Sequence, residues 1–221
     1  MLKNIIEQTD FSQLYKTETS DYFKRITTTE MEYWDVHEQM FATVPKDAKI
    51  LDVGVWFGVV PWALQQLGYS NISTTECKAH SQGKREIFNV LWSWMNIQPF
   101  ELHIKPQQEF VLPDTYDIIT MTKSNVFWKT EEVIHHDTGN GECRTEWQVT
   151  GKDGNAHTFF TMYNIDDWVF FIENIRKFLN PGGRALIQPA PLWDGYALPY
   201  YKLTGDYLQR FNKGDYLEIK K

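Results

Sequence analysis

The sequence predicts a doubly wound, mostly parallel α/β sheet, and three observations carry that expectation. From Lys49 onward, short apolar runs alternate with segments of helical periodicity. The first run, Lys49-Ile50-Leu51-Asp52-Val53-Gly54, is unbroken by polar alternation except at its carboxyl end, as in a strand buried on both faces. Glycines punctuate the changes of pattern, at Gly54, Gly58 and Gly68. Strands separated by helices run parallel, and the helices then cover both faces of the sheet.

Each element follows in order. Residues 1–45 read as a helical segment, with Thr27-Thr28-Thr29-Glu30 as a cap and Met31, Trp34, Met40, Phe41 and Val44 as the apolar stripe. Residues 46–221 form the main domain. After the strand ending at Gly54, Val59 to Leu67 is a helix stopped by Gly68, and Asn71 to Glu76 is a second strand. A helix from about Gln82 to Met95 and a third strand, Phe100 to Ile104, come next. Pro113-Asp114-Thr115 turns the chain into a fourth strand, Tyr116 to Thr120. Ile165 to Leu179 is a helix with Asp166 and Asp167 in its first turn, where negative charge is favoured. Asn180-Pro181-Gly182-Gly183 is a turn before a fifth strand, Arg184 to Gln188. Thr204 to Phe211 reads as a helix and Asp215 to Lys220 as one more strand.

Composition narrows the function classes. The 221 residues suit one domain with an attached segment, and a 42% hydrophobic content supports a large core. The net charge of −7, with no long Lys/Arg run, speaks against a nucleic-acid surface and is compatible with a cationic ligand. Cys77 and Cys143 are the only cysteines, neither a disulfide framework nor a zinc set. No secretory leader or bilayer-length apolar run is present, so no membrane association and a cytoplasmic setting are expected.

Ligands in doubly wound sheets bind beyond the carboxyl ends of the strands, where strand order reverses. The first such loop is Asp52-Val53-Gly54-Val55-Trp56-Phe57-Gly58, and the next strand ends in Thr74-Thr75-Glu76-Cys77. An acid at the end of the second strand can accept hydrogen bonds from both ribose hydroxyls. Trp56 stands where a dinucleotide fingerprint needs its second glycine, and the Gly-Lys-Ser/Thr of a phosphate loop is absent. Asp52 beside the loop opposes a pyrophosphate and suits an ammonium or sulfonium group. Read alone, the glycine pair also fits an ordinary strand-to-helix turn, and Glu76 also fits a solvated acid at a strand end.

These segments resemble the class I, Rossmann-like methyltransferases that use S-adenosyl-L-methionine. Ile50-Leu51-Asp52-Val53-Gly54 and Gly58 resemble the first motif, with Trp56 departing from its middle glycine. Glu76 resembles the second motif. Gln108-Glu109-Phe110-Val111-Leu112-Pro113 resembles the third, with Gln108 in the place of its acid and Glu109 as the competing candidate. Tyr116-Asp117-Ile118-Ile119 and Leu179-Asn180-Pro181-Gly182-Gly183 resemble the start of the fourth strand and the turn before the fifth. The resemblance implies that Gly54 and Val55 approach the methionine part of the cofactor through backbone and that Asp52 serves its amino end. It implies that Glu76 holds the ribose, that Cys77 lies beside the adenine and that Gln108 accepts from the adenine amino group. The family closes its sheet with an antiparallel pair, for which this chain has room for one strand.

The segment Thr122 to Asn164 is long for a connection of this kind, and residues 123–164 form an insertion. Within it, Thr145 to Thr150 and Ala156 to Met162 read as a β-hairpin about Gly151-Lys152-Asp153-Gly154, expected to act as a lid over the acceptor. Glu131 to Asp137, with His135 and His136, reads as a solvated charged loop, with a general base or a metal ligand as the sharper alternatives. No Asp/Asn-Pro-Pro-Tyr/Phe follows the fourth strand and no Pro-Cys pair exists, so the motifs for methylating DNA bases are missing. The expected activity is methyl transfer to a small-molecule acceptor. A non-catalytic cofactor-fold partner or regulator and a nicotinamide-dependent oxidoreductase are the rival readings.

Overall fold

The structure, a computed structural model, describes residues 4–5, 8–10, 34–55, 58–76, 85–102, 104, 107–122, 126–129, 146–150, 156–161, 165–188, 208–211, 213 and 216–221. The N-terminal cap at Thr27, Trp56, Cys77, the His135-His136 loop and the hairpin turn at 151–154 lie outside them.

The main sheet has six strands: β1 (Ile50–Val53), β2 (Ile72–Glu76), β3 (Phe100–Glu101), β4 (Tyr116–Thr122), β8 (Leu179–Gln188) and β9 (Leu217–Lys220). Their order is β3-β2-β1-β4-β8-β9. The first five run parallel, and β9 is antiparallel to β8. The helices are α1 (Trp34–Phe41), α2 (Val59–Gln66), α3 (Arg85–Trp94) and α4 (Ile165–Lys177). A second sheet of three antiparallel strands, in the order β5-β7-β6, contains β5 (Val126–Lys129), β6 (Glu146–Thr150) and β7 (Ala156–Thr161).

The apolar strand runs are explained by burial on both faces. On one face Leu51, Val53, Ile119, Met121, Ala185 and Ile187 pack against Trp168, Phe171, Ile172 and Ile175 of α4. On the other, Ile50, Ile118 and Leu186 pack against Val36, Met40 and Phe41 of α1 and Leu64 of α2. The Tyr69 hydroxyl, just ahead of β2, donates to the carbonyls of Phe41 (3.0 Å) and Val44 (3.3 Å). That contact fixes the C-terminal end of α1 at the amino edge of the sheet.

Several expectations need adjustment. The third strand is only two residues long, and α4 stops at Lys177. Asn180 to Gly183 is not a turn ahead of the strand but an irregularity inside β8: Tyr116 pairs with Leu179 and Ile118 with Arg184, leaving the four residues opposite Asp117. Gly183 is required there, because a Cβ would sit 2.9–3.0 Å from the carbonyl oxygens of Asn180, Asp117 and Tyr116. Asp117 holds the irregularity, accepting from Asn180 Nδ2 and from the Lys49 amide, each at 2.8 Å. The expected hairpin is present as β6 and β7, and β5 joins it as an unforeseen third strand. Near the C-terminus, Leu208–Phe211 is a short 3-10 helix, and β9 is the one antiparallel strand of the main sheet among the described residues.

Candidate functional site

Polar residues gather at one edge of the α1–α2 face. Its amino half carries Ile50, Ile118 and Leu186, whereas its carboxyl half carries Glu76, Thr74, Asp52, Thr120 and Gln188. Register shows that these five share a face. Asp52 lies opposite Thr74 of β2 and Thr120 of β4, and Gln188 lies opposite Thr122, two residues beyond Thr120. All five are buried: Asp52 is 2% exposed, Thr120 0%, Gln188 4% and Glu76 8%.

The row is unbalanced in hydrogen bonding. Asp52 Oδ1, Thr120 Oγ1 and Gln188 Oε1 have no hydrogen-bond partner among the described residues. A buried acceptor left unpaired costs roughly 1–3 kcal/mol. Three unpaired polar groups in one row make this edge the candidate for a site that receives a hydrogen-bonding ligand. Burial pushes the Asp52 carboxyl up to about 7, and the negative charge of Glu76 pushes in the same direction. A cation placed at Asp52 would offset both effects.

The loop after β1 begins with Gly54 at φ 77, and the left-handed Gly58, at φ 83, caps α2. A Cβ on Gly58 would lie 2.9 Å from Ile97 Cδ1 and 3.2 Å from Met95 Sδ. The glycine therefore lets the end of α3 approach the start of α2. The Gly54 amide donates to Thr75 Oγ1 at 3.2 Å and the Val55 amide to the Thr75 carbonyl at 2.8 Å. Both amides are thus engaged with β2, and a ligand would meet this turn at its carbonyls and at the bare Cα of Gly54.

Of the residues singled out in the sequence, Asp52, Gly54, Val55, Gly58 and Glu76 meet at the carboxyl ends of β1 and β2. Gln108 is exposed in the segment after β3. Its competitor Glu109 accepts a 2.6 Å bond from Lys177 of α4, which holds its carboxyl below the usual range. Cys77 lies outside the described residues. Sequence reasoning missed Thr120 and Gln188, although a signal was present: each is a polar residue at the carboxyl end of an apolar strand run, as Asp52 is.

A cavity of about 490 Å³ opens at the opposite edge of the sheet, lined by Thr43, Asp47, Asp117, Arg184, Glu218 and Lys220 among others. Its charged groups serve one another. Arg184 donates to Thr43 at 2.6 Å and lies 3.9 Å from Glu218, and Asp117 is taken up by Lys49 and Asn180. It holds no unpaired buried acceptor, so the site is assigned to the carboxyl edge. Among the described residues no group of His, Cys, Asp and Glu could hold a metal ion, and no helix is long and apolar enough to cross a membrane.

Strand order reverses between β1 and β4, directly beside Asp52, with β2 and β3 to one side and β8 and β9 to the other. The fold is Rossmann-like, of the class I methyltransferase type.

No protein-family model matches the sequence, and no curated protein matches it. Among solved structures, the Rossmann-like sheet is similar to that of DesVI from Streptomyces venezuelae, at 11% identity and a TM-score of 0.41 over 82% of this chain and 58% of that one. The glycopeptide N-methyltransferase MtfA, complexed with sinefungin, matches at 12% identity and a TM-score of 0.41 over 69% of this chain and 51% of that one. The amino pentose methyltransferase CalS10 from Micromonospora echinaspora, with S-adenosylmethionine bound, matches at 15% and 0.38 over 72% and 49%. The chain spans about half the length of MtfA and CalS10.

Proposed function

We propose that the chain is an S-adenosyl-L-methionine-dependent methyltransferase acting on a small polar acceptor. One observation carries the reading: a buried carboxylate with an unpaired oxygen, Asp52, stands beside a second carboxylate, Glu76, at the strand-order reversal of a Rossmann-like sheet. Two acids there oppose a pyrophosphate and fit a ligand that carries an amino group, a sulfonium and ribose hydroxyls. Asp52 would hold the ammonium end and Glu76 the ribose, with Gly54 and Val55 lining the turn between them. Gly58 would set the start of α2, Gln108 and Cys77 would border the adenine, and the small sheet would act as a lid.

The cofactor would supply an electrophilic methyl with a neutral thioether as leaving group. The protein's part is to hold the acceptor in line with it and to exclude water. Residues at the carboxyl ends of β4 and β8 are the ones in a position to do so.

A thermal-shift titration tests the reading. S-adenosylmethionine or its demethylated product, at one hundred times its dissociation constant, should stabilise the protein by about 2.7 kcal/mol. NAD should leave the melting temperature unchanged. No stabilisation by either sulfur nucleoside, or a larger effect of NAD, would overturn the proposal. Turnover with labelled donor then separates an enzyme from a cofactor-binding regulator of the same fold.

A further inference from the structure

The polar row has two halves, and the cofactor reading uses only one. Asp52 and Glu76 lie on β1 and β2. Thr120 and Gln188 lie across the strand-order reversal, on β4 and β8. Of their unpaired atoms, Gln188 Oε1 only accepts hydrogen bonds, and the Thr120 hydroxyl both accepts and donates. In a core serving only packing, Val and Leu would fill the same volume without the cost of unpaired acceptors. The residues immediately below them on this face, Ile118 and Leu186, are apolar in just that way.

The geometry suits one small group. Thr120 and Leu186 are paired across β4 and β8, and Gln188 follows Leu186 two residues on. With paired strands about 4.8 Å apart and two residues spanning about 6.6 Å, the Cα atoms of such diagonal neighbours are about 8 Å apart. The long Gln188 side chain closes enough of that gap for both oxygens to reach one donor group. The helix side contributes as well. His37, 1% exposed, lies three and four residues ahead of Met40 and Phe41, which pack on Ile50, Ile118 and Leu186. His37 therefore lies on the sheet-facing side of α1, one turn ahead of those contacts.

We propose that Thr120 and Gln188, beneath the sheet-facing side of α1 that carries His37, form an acceptor subsite that takes a hydrogen-bond-donating nucleophile, an amine or hydroxyl of a polar small molecule. The subsite rests on the methyltransferase reading for its role in turnover, but not for its capacity to bind donors. An apolar acceptor would leave both groups unpaired, and a thioether would leave at least Gln188 Oε1 so, and each is selected against by the same arithmetic that selects donors.

The test uses the full chain with its threonine methyl groups labelled for NMR, so that Thr120 reports on its own surroundings. Ethanolamine and ethylene glycol are the donor probes, and glyme, the donor-free ether of the latter, is the control. Each is titrated into the cofactor-free protein and again with saturating S-adenosylhomocysteine. The donor probes should move the Thr120 resonance in both series, glyme should move it less because it offers Gln188 no donor, and Gln188→Leu should weaken the response to the donor probes roughly threefold to tenfold. Thr120→Val should leave the melting temperature of the free protein unlowered and its S-adenosylhomocysteine affinity unchanged. A Thr120 resonance indifferent to donors, or equally sensitive to glyme, overturns the subsite. A lowered melting temperature for Thr120→Val also overturns it, because the hydroxyl would then serve an internal bond. Failure of S-adenosylhomocysteine to bind overturns the cofactor reading alone, since the cofactor-free series reads the subsite without it.

Discussion

Asp52 and Glu76 sit on the same face of adjacent parallel strands, and the charge of Glu76 adds to burial in raising the Asp52 carboxyl to about 7. In the unfolded chain Asp52 titrates near its ordinary 3.8. Between those values the folded state binds a proton that the unfolded state has released. Its contribution to stability is therefore fully present below about pH 4 and lost as pH rises to about 7. Urea melts of the free protein should show Asp52→Asn gaining on the wild type across that window, by on the order of a few kcal/mol at neutral pH. Equal pH profiles for the two proteins would contradict this.

Ligand binding should titrate in the opposite sense. A cationic ligand favours the ionised form of Asp52, so its binding releases a proton near pH 7 and its affinity rises with pH. Calorimetric titrations of S-adenosylhomocysteine in buffers of different ionisation enthalpy should reveal that proton. Glu76→Gln removes the smaller of the two causes. The midpoint of the affinity profile should move down in this variant without reaching the ordinary carboxylate value, because burial remains.

Gly58→Ala should destabilise the fold. The substitution meets a positive φ of 83° and three side-chain atoms within 3.3 Å, at Ile97, Met95 and Trp92. Backbone strain of about 1–2 kcal/mol and a similar packing cost are expected in equilibrium denaturation. Met95→Ala should cost less in the Gly58→Ala background than in the wild type, since there it also removes one of the obstructing atoms.

Asp117→Ala should loosen the irregularity in β8. It removes the acceptor for the Lys49 amide and for Asn180, a loss of roughly 1–3 kcal/mol in chemical denaturation at neutral pH. Those bonds hold the Asp117 carboxyl below its usual range, so its contribution is present above the unfolded value and fades as pH falls below it. The difference between variant and wild type should accordingly shrink in acid.

The lid is tested by removing the whole small sheet. Because β5 pairs with β7, deleting the hairpin alone would leave β5 with an open edge. Joining Thr122 to Ile165 by a short flexible linker removes all three strands. Turnover should be abolished and S-adenosylhomocysteine affinity nearly kept; full turnover would refute the lid.

The main sheet was legible because its central strand β1 is buried and reads as an apolar run, while β2, Ile-Ser-Thr-Thr-Glu, shows itself by β-branched residues rather than by apolarity. Ile50 to Val53 and Ile72 to Glu76 lie within a residue or so of where the pattern put them. Local pattern failed where pairing decides. Val126–Lys129 is a strand because β7 offers it an edge, and nothing in Val-Phe-Trp-Lys announces that partner. Asn180 to Gly183 carries strong turn residues, yet the ladder on either side of Asp117 absorbs them into β8. Asp52 and Glu76 were visible as acids at strand ends. Thr120 and Gln188 were not singled out, because neutral polar residues draw notice only once register places them in a row with a carboxylate.

Among the described residues, the two margins of the main sheet are poor templates for a second chain. β3 offers only two residues for pairing, and on β9 the side chains of Glu218 and Lys220 alternate with the buried Leu217 and Ile219. Such short or charged rims disfavour edge-to-edge growth between molecules. Along these rims, then, concentrating the protein should not by itself nucleate fibrous assembly.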